Sequence, residues 1–355
     1  MRRIQPTAQQ GFRVSLKQIA EATGHSKMTV SRALRGNPDI AVKTRAQILA
    51  MARKFGYRPN LLVRGLQTGR SGNIALLVAP LDDFGSGIVR GVHDTLVKHQ
   101  YLPLLHWKWT AKGEKIADVE LEMIHRVIDR RVEGVILFPQ DDAVPDLYFR
   151  ELWKRGVPLV TVDRQLPRTR ADFVGTDDLA GAKMAAEHLL ELGHLNVAHL
   201  AGTQKAGTFA DRRSSFEGTI SSGHGQCKTV EVLNLGSLGA VVQGLLQSNP
   251  RPTALFLATD HFALVVYQVA AKLGLRIPED LSVVGFAGLG FTQYLNPPLT
   301  TVAQDPCGIG REAARIILER CTGKCTKKEP MQLRLRPELM VRNSTTTAPS
   351  KLKTT

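Results

Sequence analysis

The chain has 355 residues, 43% of them hydrophobic, and a formal net charge of +15 at pH 7. That length suits two or three units with sizeable cores. No run of about 18 apolar residues marks a membrane span, and the basic start MRRIQPTAQQ has no apolar stretch behind it to make a secretory signal.

The expected compartment is therefore the cytoplasm. Cys227, Cys307, Cys321 and Cys325 lack zinc-ligand spacing and read as reduced structural thiols, with no metal or cofactor expected. The charge is concentrated at one end. Residues 1–70 carry fourteen Lys or Arg against only Glu21 and Asp39, a net +12, which leaves +3 for the other 285 residues. A head this basic suits a polyanion, either nucleic acid or an anionic membrane surface.

Within the head, Ser15 and Gln18 form an S-x-x-Q capping box. Leu16, Ile19 and Ala20 then give one apolar face, and Gly24 can take the left-handed conformation that stops the helix. Ser26 can cap a second helix, SKMTVSRAL, with Val30, Ala33 and Leu34 inward and Lys27, Met28, Ser31 and Arg32 outward. Two short helices around a Gly-containing turn make a helix-turn-helix, whose second helix enters the major groove. A third helix is expected from Lys43 to Phe55, with Ile48, Leu49 and Ala52 inward, and Gly56-Tyr57-Arg58-Pro59 ends it. Asn60 can cap one more short helix, LLVRGLQ, before a linker at 68–72. The head at 13–58 reads as DNA-binding; a small helical protein-interaction domain is the alternative.

From Asn73 apolar strands alternate with amphipathic helices. Strands are expected at 73–79, 101–107, 133–139 and 158–163, with helices near 86–99, 116–130 and 146–155. The scheme restarts at LNVAHLAG (195–202), followed by KTVEVLNL, PTALFLAT and LSVVGFA. GNIALLVA and LNVAHLAG look like counterparts, which predicts two α/β lobes built on parallel sheets. Ligands bind such folds at strand carboxyl ends, where Phe84 and Asp163 could supply a stacking ring and an acceptor. The Thr- and Lys-rich tail 343–355 reads as disordered.

Enzyme signatures are missing. There is no G-x-G-x-x-G after the first strand, no G-x-x-x-x-G-K-[ST], no G-x-S-x-G and no H-E-x-x-H. An exported solute-binding protein would suit the core but not the basic head.

VSLKQIAEATGHSKMTVSRALRGNP, TRAQILAMARKFGYRPN and LLVRGLQTGRSGNIALLVAP, followed by VPLVTVDR, HLLELGH, PEDLSVVGF and YLNPPLTTV, resemble the LacI/GalR family of bacterial regulators over about residues 14–342. The resemblance implies a helix-turn-helix head, a hinge helix and linker at 59–71 with the helix at 60–67, and a two-lobed α/β core (72–342) shaped like periplasmic sugar-binding proteins. It implies discontinuous lobes, 72–193 with about 302–330, and 194–301 with about 331–342. It further implies a homodimer on a nearly palindromic double-stranded operator, with a small-molecule effector in the core and no membrane contact.

By the same resemblance, Lys27, Met28 and Arg32 face base edges, while Thr29 and Ser31 position phosphates. Arg35, replacing a usual Asn, adds a phosphate contact. Asn60 and Leu66 belong to the DNA-contacting hinge, Leu66 as a wedge between base steps or else as a plain core leucine. Ala41 stands where a Ser cap is usual. Arg212, four residues before Phe216, matches an effector-binding arginine, although a surface Arg is the alternative. Asp260 matches an effector-site acid and could equally cap the next helix. Ala287 stands where an Asp acceptor is usual, which together with Arg212 points to an anionic effector such as a sugar acid or sugar phosphate. The expected function is a repressor-type transcriptional regulator.

Overall fold

A computed structural model describes residues 14–58, 69–78, 82–107, 116–139, 147–166, 169, 171–202, 207–232, 235–324 and 329–349. The chain divides into two compact units, Met1–Ser71 and Gly72–Thr355.

The described part of the first unit has three helices: α1 (Leu16–Thr23), α2 (Lys27–Leu34) and α3 (Val42–Lys54). The Ser15 capping box forms in full, with Gln18 Nα donating to the Ser15 hydroxyl and the Ser15 amide donating to Gln18 Oε1 at 2.8 Å. Gly24 closes α1 in the left-handed conformation at φ 71°, and Ser26 caps α2 by accepting from the Thr29 amide. Ala41 leaves α3 without a side-chain cap, as its methyl group must. Ile19, Ala20, Val30, Ala33, Ile48 and Ala52 close over one small core. Leu49, expected inward, is only half-buried, since α3 turns Ile48 and Ala52 to the core instead.

The second unit holds two six-stranded sheets. The first has the order β11-β5-β4-β3-β1-β2, all parallel. Its strands are β1 (Asn73–Val78), β2 (Leu102–Trp107), β3 (Gly134–Leu137), β4 (Leu159–Val162), β5 (Asp172–Thr176) and β11 (Gln332–Leu335). The second has the order β12-β10-β9-β8-β6-β7, parallel except for β12. It comprises β6 (Asn196–Ala201), β7 (Gln226–Glu231), β8 (Ala254–Leu257), β9 (Ser282–Ala287), β10 (Thr300–Ala303) and β12 (Glu338–Met340). Each sheet contains the doubly wound order 2-1-3-4-5, and β1 and β6 hold the same place in it. The central strands are buried from end to end, so their sequences are continuous apolar runs.

The remaining helices are α4 (Asp83–Lys98), α5 (Ile116–Asp129), α6 (Leu147–Lys154), α7 (Asp178–Glu191), α8 (Thr208–Ser222), α9 (Leu235–Leu246), α10 (His261–Lys272) and α11 (Pro306–Cys321). Helices α4 and α11 approach closely because both carry glycine at the crossing. A Cβ on Gly91 would stand 2.2 Å from the Cys307 carbonyl oxygen, and one on Gly310 would stand 2.2 Å from that of Ile88. Among the described residues, Cys227 and Cys307 are free thiols, and burial pushes the Cys227 thiol up to about 11.

Three expectations need correction. The chain passes between lobes at 176–178, 303–306 and 335–338, so α7 packs with the second lobe while β11 extends the first sheet beside β5. The division 72–193 and 331–342 therefore gives α7 and β11 to the wrong lobes. The tail is also ordered through residue 349. Ser344 is fully buried, its hydroxyl donating to the Val283 carbonyl and accepting from the Thr300 amide, and the Ala348 amide donates to Leu192 at 2.8 Å. The Ser344 hydroxyl satisfies backbone groups of the second sheet and the Thr345 hydroxyl meets His188 and Thr300 side chains, so polarity here is not disorder. Residues 350–355 lie outside the described residues.

Candidate functional site

The outward face of α2 is polar and basic because the helix spends Val30 and Ala33 on the core. Lys27, Met28 and Arg32 project from the other side, and Met28 is 66% exposed. Arg32 has five donors in a planar fork that fits guanine O6 and N7. Thr29 hydrogen-bonds through its hydroxyl to Ser26 at 2.9 Å, so it belongs to the N-terminal cap. Arg35 lies just beyond the helix and donates through Nε to the Ser31 carbonyl at 3.1 Å and through Nη2 to its hydroxyl at 2.9 Å. The sequence did not suggest that Arg35 and Ser31 act as a pair. Asn60 and Leu66 lie outside the described residues.

In the core, three of the residues singled out from sequence, Phe84, Asp163 and Arg212, lie at or just beyond the carboxyl ends of the strands. Asp82 caps α4 by accepting from the Gly85 amide at 2.7 Å. Phe84, one residue into the helix, meets Phe138 edge-on at 6.4 Å and is half-buried. Asp163 follows β4 with a left-handed φ of 66°, a conformation that Asp tolerates better than most residues. Burial raises its carboxyl above the usual range, against the opposing pull of Arg212 and Arg164, and Asp82 adds to the rise.

Arg212 comes from α8 in the second lobe and is 5% exposed, so it is not a surface arginine. Its Nε donates to Asp178 Oδ1 at 2.7 Å and its Nη1 to the Ala258 carbonyl at 2.7 Å. The guanidinium lies 3.7 Å from the Phe286 ring centre and 5.5 Å from that of Phe209, a stacking that desolvated arginines favour. Among the described residues, Nη2 has no hydrogen-bond partner. Asp178 is the residue sequence reasoning missed. It follows the cap Asp177 in D-D-L at the start of α7, is 1% exposed, and leaves Oδ2 with no partner among the described residues. Burial raises its carboxyl to about 6, although Arg212 pulls the other way, and Asp163 and Asp211 push it higher.

Asp260 is different. It is fully buried, with Oδ1 accepting from the Thr301 hydroxyl at 2.7 Å and Oδ2 from the Leu289 amide at 2.9 Å. Both oxygens are used in holding the turn after β9, where Ala287 is strained at φ 132° and Gly288 sits at φ 72°. It makes no side-chain cap to α10 either. The carboxylate therefore braces a turn and does not face the cleft.

Two family models match the chain: "Bacterial regulatory proteins, lacI family" over residues 15–60, and "Periplasmic binding protein-like domain" over residues 186–345. The transcriptional regulator CelR of Thermobifida fusca is 31% identical, covering 94% of this chain and 98% of its own. A lac repressor dimer bound to operator and an anti-inducer superposes with a TM-score of 0.81 at 25% identity, over 94% of this chain and all of that one. A CelR–cellobiose complex does so with a TM-score of 0.68 at 28% identity and the same coverage.

Proposed function

Because this chain belongs to the LacI family of bacterial regulatory proteins, transcriptional regulators and not enzymes, we propose that it is a homodimeric repressor. Its hold on a nearly palindromic operator is set by a small carbohydrate bound between the core lobes. The observation that carries the DNA half is the exposed row Lys27, Met28 and Arg32 on a helix whose other face is committed to the core. Arg35 and Ser31 position the protein on phosphates together, Arg35 with the donors that Ser31 leaves free. Hinge residues Asn60 and Leu66 are proposed on the resemblance alone.

The dimer is proposed on the family and on the operator-bound dimer of the lac repressor that this chain resembles. No helix among the described residues is long and apolar enough to cross a membrane, and the proposed place of action is the cytoplasm, where its operator is.

For the effector, Arg212 supplies a buried donor and Asp163 an acceptor on the opposite lobe, and Phe84 on α4 offers a half-buried ring of the first lobe. Such a mixed donor and acceptor set suits hydroxyl groups, and a related regulator has been solved with cellobiose. The sugar acid or sugar phosphate expected from Arg212 and Ala287 fits less well, since Asp178 already faces that guanidinium. Ligand shifts DNA affinity through differential contacts in two lobe arrangements, typically about 1–3 kcal/mol of coupling. The test is operator binding by the full chain, with and without carbohydrates. Operator binding that no carbohydrate alters would refute the effector half, and failure to select any palindromic sequence would refute the DNA half.

A further inference from the structure

We propose that Asp178 is a specificity-determining acceptor of the ligand cleft, and that with Arg212 it selects neutral or amine-bearing, hydroxyl-rich ligands and rejects sugar acids and sugar phosphates. This inference rests on the carbohydrate reading above and names the charge class of its ligand. Arg212 and Asp178 are joined only once. An arginine and a carboxylate side by side can form two parallel hydrogen bonds. Here Nε takes Asp178 Oδ1 at 2.7 Å, while Asp178 Oδ2 takes nothing and Nη2 takes nothing among the described residues. One donor and one acceptor are thus left adjacent, and a vicinal diol presents the same two functions in mirror image. One hydroxyl accepts from Nη2 and its neighbour donates to Oδ2.

A buried carboxylate oxygen without a donor is costly, and nothing in a stable fold demands it at this place. Asp178 is 1% exposed and is anchored at the first turn of α7, directly after the crossover from the first lobe. Its unpartnered oxygen lies on the first residue of the helix that follows the crossover.

The surrounding charges decide the sign of the ligand. From the first lobe come Asp82 at the start of α4 and Asp163 and Arg164 after β4, and from the second come Asp178 on α7 and Asp211 and Arg212 on α8. Arg334 on β11 is drawn off by Asp211 at 3.8 Å. Arg212 therefore answers to more than one carboxylate, and a further anion would have to enter among acids. Proton linkage follows from the same geometry. A ligand hydroxyl donating to Oδ2 favours the ionised carboxylate, so binding expels the proton that burial holds there at about pH 6. An anionic ligand favours the protonated carboxyl and draws a proton in.

The experiment is calorimetry of the full chain at pH 6, in two buffers of different ionisation enthalpy, with cellobiose, glucose, glucosamine, gluconate and glucose 6-phosphate. The expected result is binding of at least one of the first three with proton release, and none or far weaker binding of the two acids. Asp178→Asn, which keeps an acceptor for Arg212 but loses the charge, should weaken the bound neutral probe about tenfold or more. It should also reduce the proton release and bring the acids nearer to the neutral probe. Preference for gluconate or glucose 6-phosphate in the unaltered chain, or proton uptake on binding a neutral probe, overturns the inference and leaves the carbohydrate reading standing. Unchanged selectivity in Asp178→Asn does the same. Silence of all five probes counts against the carbohydrate reading itself, and the inference falls with it.

Discussion

Arg320 on α11 grips Asp172 at the head of β5 with two nitrogens, Nη2 at 2.7 Å from Oδ1 and Nε at 2.9 Å from Oδ2. Asp172 also accepts from the Met331 amide at 2.7 Å, so one carboxylate joins the returning helix, β5 and the approach to β11. The Asp172 side chain is 5% exposed and Arg320 16%. Removing one partner leaves a buried charge uncompensated. Arg320→Ala should therefore destabilise the core by about 3–5 kcal/mol. Urea unfolding followed by circular dichroism gives the number, and a loss under about 1 kcal/mol would show that water replaces the guanidinium.

Recognition and grip separate at Arg32. Arg32→Ala should cost about 1–3 kcal/mol on the operator and little on unrelated DNA, because a fork on guanine carries sequence information and a phosphate contact does not. Fluorescence anisotropy on both duplexes makes the comparison. Equal losses on the two would move Arg32 to the phosphate backbone.

The uncapped start of α3 can be improved. Ala41 has φ −52° and ψ 138° and no side-chain bond to the first turn. Ala41→Ser should stabilise the head by about 0.5–2 kcal/mol. Thermal melts of the full chain before and after the change test it.

Two buried groups pull stability in opposite directions with pH. Asp178 sits at about 6 in the folded chain against 3.8 in water. The folded state holds its proton more tightly, so its contribution is greatest below pH 4 and fades as pH rises through 6. His199 is lowered to about 4 from 6.5 by burial, stacked 4.8 Å from Phe256 and donating through Nδ1 to the Phe256 carbonyl. Its contribution is complete above pH 6.5 and is lost as pH falls towards 4. Between pH 4 and 6 the two slopes oppose each other. Relative to the unaltered chain, Asp178→Asn should make stability rise more steeply with pH there, by up to about 1.4 kcal/mol per unit. His199→Phe should tilt it the other way. Parallel curves for all three proteins would show that neither group titrates as its burial implies.

How far the sequence reveals this protein follows from how each part is buried. Caps at Ser15 and Ser26 are local bargains between neighbours, so three or four residues suffice to read them. Strands β1, β3, β4 and β8 are covered on both faces and announce themselves as apolar runs. Edge strand β11 alternates exposed and half-buried residues in QLRL, and the lobe crossovers are one or two residues long; neither has a periodicity to detect. In the cleft, Arg212 was legible from its spacing to Phe216. Asp178 was not, because an acid in the first turn of a helix ordinarily serves the helix dipole. The D-D pair at 177–178, with one acid sufficient for the cap, was the available signal.

The Ser344–Ala348 segment sets a practical boundary for anyone handling this protein. The amides of Val283 and Thr300 both depend on Ser344 for their partners, and His194 meets the Thr346 carbonyl at 2.9 Å. A purification tag fused at the last residue leaves those bonds alone, whereas trimming the chain back to Arg342 would strip partners from two neighbouring strands at once. Shortened versions made for crystallisation should keep at least residues through 348, however dispensable a run of threonines looks on paper.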